Sequence, residues 1–367
     1  MISLAALGND LYSGKTSLPF IAKRRIWYTI AIVVIALSAV LVVKPGLNPG
    51  IDFKGGSEVT VTGVADPSEG PGNDVLADKD LSSGSSVTTM GASSVRIQTN
   101  ELDKAQLDEL ASSLATAYDV DSGSVSATTI GPTWSADVTS KAARGLVIFF
   151  LLVGALIWIY FRTWKMAAAA LFALSHDIIV TIGIYAASGF EVTPATIIGV
   201  LTILGYSLYD TVVVFDKIRE NTSHYEAQTR STYAELANLA VNQTFIRSIN
   251  TSVVGVLPVA SLLVVGAFIL GAGTLRDIAL TLFIGMIAGT LSSIFLATPL
   301  LVDLRSREKS IVEQAKRVEA ARAQRVTQAG DDDEALAAIV AAPAASPLVP
   351  GHHLGVSAQP KRKNRRS

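Results

Sequence analysis

Six stretches of about 20 apolar residues constrain this chain more than any other feature of its sequence. A helix of about that length crosses the hydrocarbon of a bilayer. Half of the residues are hydrophobic and 17% are charged, against about 25% in an average soluble domain. The sequence therefore predicts an α-helical polytopic membrane protein with six transmembrane helices. The predicted spans are residues 26–43, 145–161, 166–188, 194–215, 249–270 and 278–302.

The basic residues around these spans predict their orientation. Short cytoplasmic loops of membrane proteins carry an excess of lysine and arginine. Such residues cluster before the first span, between the second and third, and between the fourth and fifth: Lys23, Arg24, Arg25, Arg162, Lys165, Lys217, Arg219, Arg230 and Arg247. We therefore expect a multi-pass protein of the cytoplasmic membrane with both termini in the cytoplasm.

The first span has an alternative interpretation as a signal peptide, because the basic residues 23–25 precede it. Its apolar run is longer than the usual signal core, and residues 42–45 offer no small-x-small cleavage site. An uncleaved anchor is favoured. The expected order is then a cytoplasmic N-terminus over 1–25, the first helix over 26–43, an extracytoplasmic domain over 44–143, helices two to six over 144–303 and a cytoplasmic tail over 304–367.

The segment 44–143 predicts a small α+β domain between the first and second helices. Alternation of polar and apolar residues predicts strands over 57–62, 94–99 and 125–130. Leucines at helical spacing predict a helix between the last two strands, with Asn100 as its N-cap. The Gly-, Ser- and Asp-rich stretch 67–86 is expected to be a loop. The order strand, strand, helix, strand favours a ferredoxin-like domain.

The chain becomes polar after the sixth span. Residues 304–328 have a helical composition with mixed charge, whereas residues 330–367 are rich in Asp, Ala and Pro and are expected to be disordered. The basic end of this tail has two candidate ligands, anionic lipid and RNA, but a solvated tail without a ligand is the default. No nucleic-acid partner is expected.

Two acidic residues lie within the apolar runs. A carboxylate inside the hydrocarbon costs about 2.5 to 3.5 kcal/mol, so it is tolerated mainly where it faces a bundle interior or a water-filled path. Asp210, near the end of the fourth span, is therefore a candidate proton carrier, and Asp177 lies halfway along the third beside His176. The alternative is that these residues only join helices. Such hydrogen bonds contribute about 0.6 kcal/mol on average, which suits neutral residues better than acids.

A polar face opens the fifth span. Arg247, Asn250 and Thr251 stand at positions i, i+3 and i+4, so they share one side of a helix, which we expect to face protein and not lipid. An arginine beside a carboxylate forms a pair whose strength depends on the proton of the acid. Pairing of Arg247 with Asp210 would couple proton passage to helix motion. The alternative that Arg247 only holds helices together by hydrogen bonds stays open.

The remaining patterns concern packing and cofactors. Gly285 and Gly289 form a Gly-x-x-x-Gly pattern in the sixth span, which predicts close helix packing and no chemistry. The chain contains no cysteine, so disulfides and thiolate metal sites are excluded. Because Walker-type loops, His-Glu-x-x-His and paired metal ligands are missing from the sequence, no cofactor or metal is expected. The expected energy source is the membrane gradient.

A glycine-rich signature follows the first span and reads Gly50-Ile51-Asp52-Phe53-Lys54-Gly55-Gly56. Later motifs are the His176-Asp177 pair, the block over residues 205–221 and the segment over residues 247–252. In this order, with six spans and one large loop after the first, they resemble the SecF family of the bacterial Sec protein-export machinery, within the resistance-nodulation-division superfamily. The resemblance covers roughly residues 26–304.

The resemblance implies an accessory subunit without enzymatic activity that uses the proton-motive force to assist preprotein export. Its implied partners are a SecD subunit, the SecYEG channel, unfolded preprotein and protons. It also implies that Asp210 and Arg247 are the proton-relay residues. The chain departs from the family pattern at Tyr209, where Asn is common, in the stretch 67–86 and after Glu308. Since the chain lacks a SecD half and a second set of six spans, we expect it to be incomplete alone.

Two other functions are compatible with parts of the sequence. Tyr209-Asp210 resembles the Tyr-Asp element of intramembrane aspartyl proteases, and Asp177 would supply the second acid of a dyad that shares a proton. The Gly-x-Gly-Asp element of that class is missing from the sequence. A small-molecule or lipid exporter of the same superfamily is the other alternative, although such exporters usually carry two six-span repeats in one chain.

Overall fold

The computed structural model describes residues 4–266 and 273–329 of the chain, which are mostly helical. Within these residues, six helical stretches are long and apolar enough to cross a membrane. They are Arg24–Gly46, Pro132–Phe161, Trp164–Ser188, Pro194–Ala227, Tyr233–Val264 and Gly273–Arg305. The six predicted spans are therefore confirmed as helices of suitable length and composition. The predicted disordered tail, residues 330–367, lies outside the described residues, as do residues 267–270 at the end of the fifth predicted span.

The described residues form twelve α-helices and six strands. The helices are α1 Leu4–Tyr12, α2 Arg24–Leu41, α3 Ile51–Lys54, α4 Gly70–Asp78, α5 Lys104–Ala117, α6 Pro132–Phe161, α7 Trp164–Ser188, α8 Pro194–Asn221, α9 Tyr233–Val264, α10 Gly273–Ser292, α11 Thr298–Arg305 and α12 Lys309–Ala329. The strands are β1 Asn48–Pro49, β2 Gly56–Thr62, β3 Ser86–Met90, β4 Ser94–Thr99, β5 Val125–Ile130 and β6 Glu191–Val192.

Two of the membrane helices begin well before the apolar stretches that predicted them. The first turns of α6 are polar and contain an ion pair at i, i+4 spacing, with 2.7 Å between Lys141 Nζ and Asp137 Oδ2. The start of α9 is fixed by a reciprocal cap, because the Thr232 amide donates to Glu235 Oε2 at 2.8 Å and the Glu235 amide donates to Thr232 Oγ1 at 3.3 Å. Hydropathy does not register these polar helical turns.

The elements fall into two compact units. One contains Lys23–Phe215 and Arg247–Leu301. Among the described residues, the other unit contains 4–22, Asp216–Ile246 and 302–329. In this second unit the loop after α1 is held by side-chain amides, because Asn242 Oδ1 accepts from the Leu18 amide at 2.8 Å and Asn238 Oδ1 accepts from the Ile21 amide at 3.1 Å. The helix predicted for residues 304–328 is confirmed as α12.

An α+β domain lies between the first two membrane helices. Its sheet has the strand order β3-β4-β2-β5 with antiparallel neighbours throughout. The register pairs Val59 with Ile97 and Val61 with Val95, so β-branched side chains meet on one face. Helices α4 and α5 cover that face, and their apolar residues join the core. The buried core consists of Val59, Val61, Val64, Leu76, Val95, Ile97, Leu102, Leu107, Leu110, Leu114 and Tyr118.

The expected loop over residues 67–86 is wrong in its middle, where α4 forms, and so the domain contains a helix that the sequence did not predict. Leu76 is 2% exposed and anchors α4 in the core. The Tyr118 hydroxyl accepts from the Gly72 amide at 3.0 Å and donates to the Ser68 carbonyl at 2.9 Å. Tertiary contacts therefore override the low helix propensity of glycine and aspartate.

The predicted N-cap of α5 is also wrong. Asp103, and not Asn100, caps this helix, because Asp103 Oδ1 accepts from the Gln106 amide at 2.8 Å and Gln106 Oε1 accepts from the Asp103 amide at 3.1 Å. This reciprocal capping box satisfies two amides at the helix start. Asn100 donates instead to the Ser83 carbonyl at 3.3 Å.

The α+β domain is tied to the membrane helices by a second, two-stranded sheet. Strand β1 pairs in parallel with β6, which lies between α7 and α8. The Gly50 amide extends this pairing by donating to the Val192 carbonyl at 2.9 Å. The domain is therefore bonded to the connection between two membrane helices as well as to its own flanking helices.

Candidate functional site

Asp210 lies on α8 in a buried pocket lined by hydroxyl groups from two other membrane helices. The residue as a whole is 4% exposed. Ser248 of α9 donates to Asp210 Oδ1 at 2.8 Å, and Ser293, just after α10, donates to Asp210 Oδ2 at 3.2 Å. Tyr209, the departure from the family pattern, is exposed and takes no part in these bonds. The acid is therefore held at the meeting point of three helices.

The Ser293 hydroxyl suits both protonation states of this acid. Its Oγ lies 3.2 Å from Asp210 Oδ2 and also 3.0 Å from the Thr290 carbonyl. A hydroxyl has one proton to donate and two lone pairs to accept. It can donate to an ionised Asp210, or accept from a protonated Asp210 while it donates to Thr290. The pocket can therefore satisfy either state by rotating one hydroxyl group.

Asp177 forms a second buried acid site on α7, next to the face of α8 that carries Asp210. Asp177 is 1% exposed, and Ser207 donates to its Oδ2 at 2.6 Å. Ser207 precedes Asp210 by three residues, so the two share one face of α8. His176 Nδ1 lies 3.3 Å from Asp177 Oδ1. One face of α8 therefore carries Asp210 and also contacts Asp177 through Ser207.

The two acids do not form a protease-like dyad in the described part of the chain. Each carboxylate is hydrogen-bonded to hydroxyl groups, Asp177 to Ser207 and Asp210 to Ser248 and Ser293. A catalytic dyad needs two carboxylates that share one proton. The observed bonds therefore do not favour the aspartyl protease alternative.

The predicted polar face of α9 was expected to contact protein, but most of it is exposed on this chain. Arg247 and Asn250 are exposed on this chain, and Thr251 bonds within its own helix, donating to the Arg247 carbonyl at 2.9 Å. Among the described residues Arg247 makes no ion pair with Asp210, although it is close enough to attract that carboxylate electrostatically. Adjacent residues are rotated by about 100° on a helix, so Ser248 and not Arg247 points at Asp210.

A row of hydroxyl groups lies behind this pocket. Ser248 and Ser252 stand at i, i+4 on the buried side of α9. Ser252 Oγ lies 2.6 Å from Thr290 Oγ1 on α10, which continues the contact made by Ser293. Small hydroxyl residues at helical spacing were the available signal. They were not recognised because serine and threonine are common in membrane helices as simple packing residues.

The glycines of α10 allow α8 to approach closely. A Cβ atom on Gly289 would lie 2.7 Å from Ser207 Cβ, and one on Gly285 would overlap the side chain of Ile203. Such contacts are shorter than side chains accept, so both positions require glycine for this packing. This close approach of α10 to α8 accompanies the contact of Ser293 with Asp210.

A third buried acid, Asp277, lies at the N-terminal end of α10, and the sequence analysis did not predict it. It is 4% exposed, and its Oδ2 accepts from Thr193 Oγ1 at 3.1 Å. Its Oδ1 accepts from the Arg276 guanidinium at 3.3 Å. Tyr185 of α7 lies beside it, with 2.5 Å between the Tyr185 hydroxyl and Thr281 Oγ1. Polar groups therefore continue along the bundle beyond Asp177.

The glycine-rich signature forms the turn that enters the α+β domain. Gly55 and Gly56 have φ angles of 79° and 139°, which side chains rarely adopt. A Cβ on Gly56 would lie 2.5 Å from the Thr99 carbonyl oxygen. Phe53 helps to line an apolar cavity of about 440 Å³ against α6, α7 and α8. The signature therefore combines a backbone turn with an apolar contact to the membrane helices.

Asp52 of the signature is half-buried beside other charged groups. Burial raises the pKa of the Asp52 carboxyl above its usual value, and the negative charges of Glu58 and Glu191 raise it further. Arg96 opposes the rise. A raised pKa means that the folded domain holds a proton which the unfolded chain would release.

This raised pKa predicts how the stability of the domain depends on pH. The contribution of Asp52 is fully present below the ordinary pKa and is lost as the pH rises through the raised pKa. Asp52→Asn, which cannot titrate, should reduce that fall and make the domain more stable at neutral pH. Resistance to proteolysis on heating, measured across pH on the purified full-length chain, tests this. Asp108→Asn, at an exposed position of α5, is the control and should behave as the wild type does.

Among the described residues, no group of three or more His, Cys, Asp or Glu side chains is placed to hold a metal ion. The three buried acids are instead single carboxylates, each hydrogen-bonded to at least one hydroxyl group, with His176 also beside Asp177 and Arg276 also beside Asp277.

Two family models match the chain. The model described as "Protein export membrane protein SecD/SecF, C-terminal" matches residues 110–307, which include both acids and the α9 face. The model described as "SecD/SecF GG Motif" matches residues 40–63, which include the glycine-rich signature. The motifs that carried the resemblance in the sequence therefore lie in the matched segments.

Curated relatives and a solved structure agree with these matches. The chain is 45% identical over 333 residues to protein translocase subunit SecF of Streptomyces coelicolor, covering 88% of this chain and 86% of the relative. It is 33% identical over 302 residues to SecF of Rhodothermus marinus, covering 79% and 94%. The crystal structure of SecDF from Thermus thermophilus, a translocon-associated membrane protein, is 29% identical with a TM-score of 0.70. The match covers 80% of this chain and 39% of that chain. The chain is therefore a multi-pass membrane protein of the SecF family.

Proposed function

We propose that this chain acts in protein translocation together with a SecD subunit. Its relatives are named as translocase subunits SecF, or as SecDF in longer chains. The match to SecDF of Brucella abortus covers 80% of this chain but 38% of the relative, which leaves room there for a SecD half. A separate SecD is therefore the natural partner of this chain, and we further propose that the pair assists preprotein export at the SecYEG channel.

The observation that carries a proton-driven function is the pocket of Asp210. Its acid is buried between three helices, yet its hydroxyl partners can satisfy both the ionised and the protonated form. An acid that forms only one fixed ion pair would not have this freedom. We therefore propose that Asp210 takes up and releases protons, and that the exchange of its bonds to Ser248 and Ser293 alters the packing of α8 against α9 and α10.

Asp177 extends this site along α7. Its bond to Ser207 lies one helical turn from Asp210 on the same face of α8. The Ser207 hydroxyl, which bonds to Asp177, is therefore a candidate link between the two acids. We propose that protons driven by the membrane gradient pass between the two acids along this face.

Arg247, Asn250 and Thr251 have a different place in this proposal. A charged side chain in a membrane helix does not normally face lipid, and Arg247 and Asn250 are exposed on this chain. We propose that SecD covers this face. Arg247 would then attract the Asp210 carboxylate electrostatically and would also contact SecD.

The orientation of the chain and the α+β domain complete the proposal. The basic residues of the short loops favour cytoplasmic termini and an α+β domain on the outer side of the cell membrane. The element order β2, α4, β3, β4, α5, β5 with the strand order β3-β4-β2-β5 supports a ferredoxin-like domain. We propose that this domain handles preprotein as it leaves the channel.

The proposed function is tested by export into inverted membrane vesicles that contain SecYEG, SecD and this chain. Export should be faster with a proton gradient than after its collapse by a proton ionophore, and only when this chain is present. Equal export with and without the gradient in the complete system would show that the chain does not use proton energy.

The hydroxyl pocket yields a further prediction. The double variant Ser248→Ala, Ser293→Ala should lower the gradient-dependent part of export about tenfold or more, because each hydrogen bond to a charged group contributes about 1.5 to 3 kcal/mol. The measurement is the same vesicle assay. Ser261→Ala, whose hydroxyl bonds only to its own helix, is the matched control and should export normally. Normal export by the double variant would contradict a role for these hydroxyl groups.

A further inference from the structure

The connection between α7 and α8 is short and joins the two helices that carry the buried acids. It comprises residues 189–193, between the end of α7 and Pro194. Asp177 lies on the helix before it, and Ser207 and Asp210 lie on the helix after it. Since so few residues leave little slack between the helix ends, we expect the connection to respond to a change in how α7 and α8 pack.

Glu191 in this connection is bonded to the sheet of the α+β domain. Its Oε2 accepts from Arg96 Nη1 at 3.0 Å, and its Oε1 accepts from Gln98 Nε2 at 2.7 Å. The side chains of Glu191 and Arg96 are 13% and 14% exposed. Charge-assisted bonds with two donors have a defined geometry as well as strength. The contact is therefore directional and largely shielded from solvent.

The attachment point is an interior strand of the sheet. Arg96 and Gln98 lie on β4, which is paired with β2 on one side and β3 on the other. They are two residues apart, so both side chains stand on the same face. A displacement of Glu191 consequently acts on the whole sheet, because β4 cannot move without its hydrogen-bonded neighbours.

Other charged groups surround this contact and attract Arg96 electrostatically. Glu58 Oε2 lies 3.5 Å from Arg96 Nε and accepts from Gln98 at 3.0 Å. Asp52 and Asp277 are within electrostatic reach of Arg96. Arg96 thus faces acids from α3, β2, β6 and α10.

Gly50 shows how tightly this contact is built. A Cβ atom at Gly50 would lie 2.6 Å from Glu191 Oε1. The first glycine of the signature therefore leaves the space that the Glu191 carboxylate occupies. This gives the signature residue a physical role in the contact between the connection and the domain.

We propose that Glu191 is a positioning residue that transmits a change in the packing of α7 and α8 to the α+β domain through Arg96 and Gln98. The inference rests on the proposed proton-driven function and names the contact through which it acts. Proton exchange at Asp210 rearranges α8, the short connection moves with the helix ends, and Glu191 displaces β4 with the rest of the sheet.

The test measures three quantities on the complex of this chain with SecD and SecYEG. The first is gradient-dependent export, and the second is the exit of protons from the acidified vesicle lumen, followed with a pH-sensitive dye in that lumen. The third is the distance between spin labels at Ser112→Cys on α5 and Ala187→Cys on α7, both exposed positions. The chain has no cysteine of its own, so with a cysteine-free SecD and SecYEG these two labels are specific.

Glu191→Ala should lower gradient-dependent export about tenfold or more while proton exit from the lumen continues. The label distance should shift with the gradient in the wild type and stay fixed in this variant. Glu191→Gln retains an acceptor for Gln98 and should recover part of the export. Arg96→Ala should equal Glu191→Ala, and the double variant should be no worse than either. Glu109→Ala removes an ion pair with Lys79 within the domain and should leave all three quantities unchanged.

The outcomes separate this inference from the proposed function. If the wild type itself shows no gradient-dependent export, the proposed function fails and the inference fails with it. If the wild type responds to the gradient but Glu191→Ala exports equally well with the same label shift, only the inference is overturned. Additive losses in the double variant would likewise overturn it. If Glu191→Ala does not assemble with SecD, the same comparison is made with Glu191→Gln. Export and a label shift equal to those of the wild type in Glu191→Gln would then overturn the inference.

Discussion

Asp210→Asn is expected to abolish the gradient-dependent part of export and to leave insertion and assembly with SecD intact. The amide keeps the shape of the side chain and accepts a hydrogen bond from Ser248 or Ser293, but it cannot take up or release a proton. Export should therefore fall to the rate seen after collapse of the gradient. Initial rates in inverted vesicles, with and without a proton ionophore, measure this.

The control for this variant is Asp216→Asn on the same helix. Asp216 is exposed, six residues after Asp210, and makes none of the bonds of the buried pocket. Its substitution removes an acid of the same type without touching the proposed relay, so export should keep its full response to the gradient. A full gradient response by Asp210→Asn would exclude this acid as the proton carrier.

Gly56→Val should disrupt the entry to the α+β domain and abolish export, although the membrane helices should still assemble with SecD. The φ angle of Gly56 is 139°, and a Cβ there would lie 2.5 Å from the Thr99 carbonyl oxygen on β4. Strained backbone conformations cost about 1 to 3 kcal/mol, and overpacking a tight site costs about 1 to 3 kcal/mol more. Resistance of the domain to proteolysis, co-purification with SecD and export measure the three effects.

Gly63→Val separates backbone strain from the steric clash. Gly63 also has a positive φ, 75°, but a Cβ there would meet nothing within 4 Å. This control carries strain without the collision with β4, so its domain should be more resistant to proteolysis than that of Gly56→Val. Equal behaviour of the two variants would show that the close approach to Thr99 has no consequence.

The membrane part of the fold could be predicted from sequence because hydropathy is a property of single segments. Within the described residues, each apolar run lies in a helix. The start of α9 could not be predicted in this way, since it depends on the polar cap formed by Thr232 and Glu235. Helix α4 was missed for a related reason. Its composition favours a loop, and only the burial of Leu76 and the bonds of Tyr118 make it a helix.

The candidate site was partly predictable for the same physical reason. A buried acid in an apolar helix is conspicuous, so Asp210 and Asp177 stood out. Their actual partners, Ser207, Ser248 and Ser293, come from distant parts of the chain and are individually unremarkable residues. The rotation of α9 that points Ser248 at Asp210 and leaves Arg247 exposed depends on tertiary packing. Sequence spacing identified the helix but not which side of it faces the acid.

Helix α6, which follows the α+β domain, is longer than a bilayer crossing requires. Its 30 residues span about 45 Å, whereas the hydrocarbon of a typical bilayer is about 30 Å thick. Only Gly131 separates this helix from β5, the edge strand of the sheet. If α6 crosses a bilayer, its surplus length therefore leads directly into the domain. In thicker or thinner membranes the domain would stand lower or higher relative to the lipid headgroups, so lipid chain length becomes a variable to control in every reconstitution of this protein.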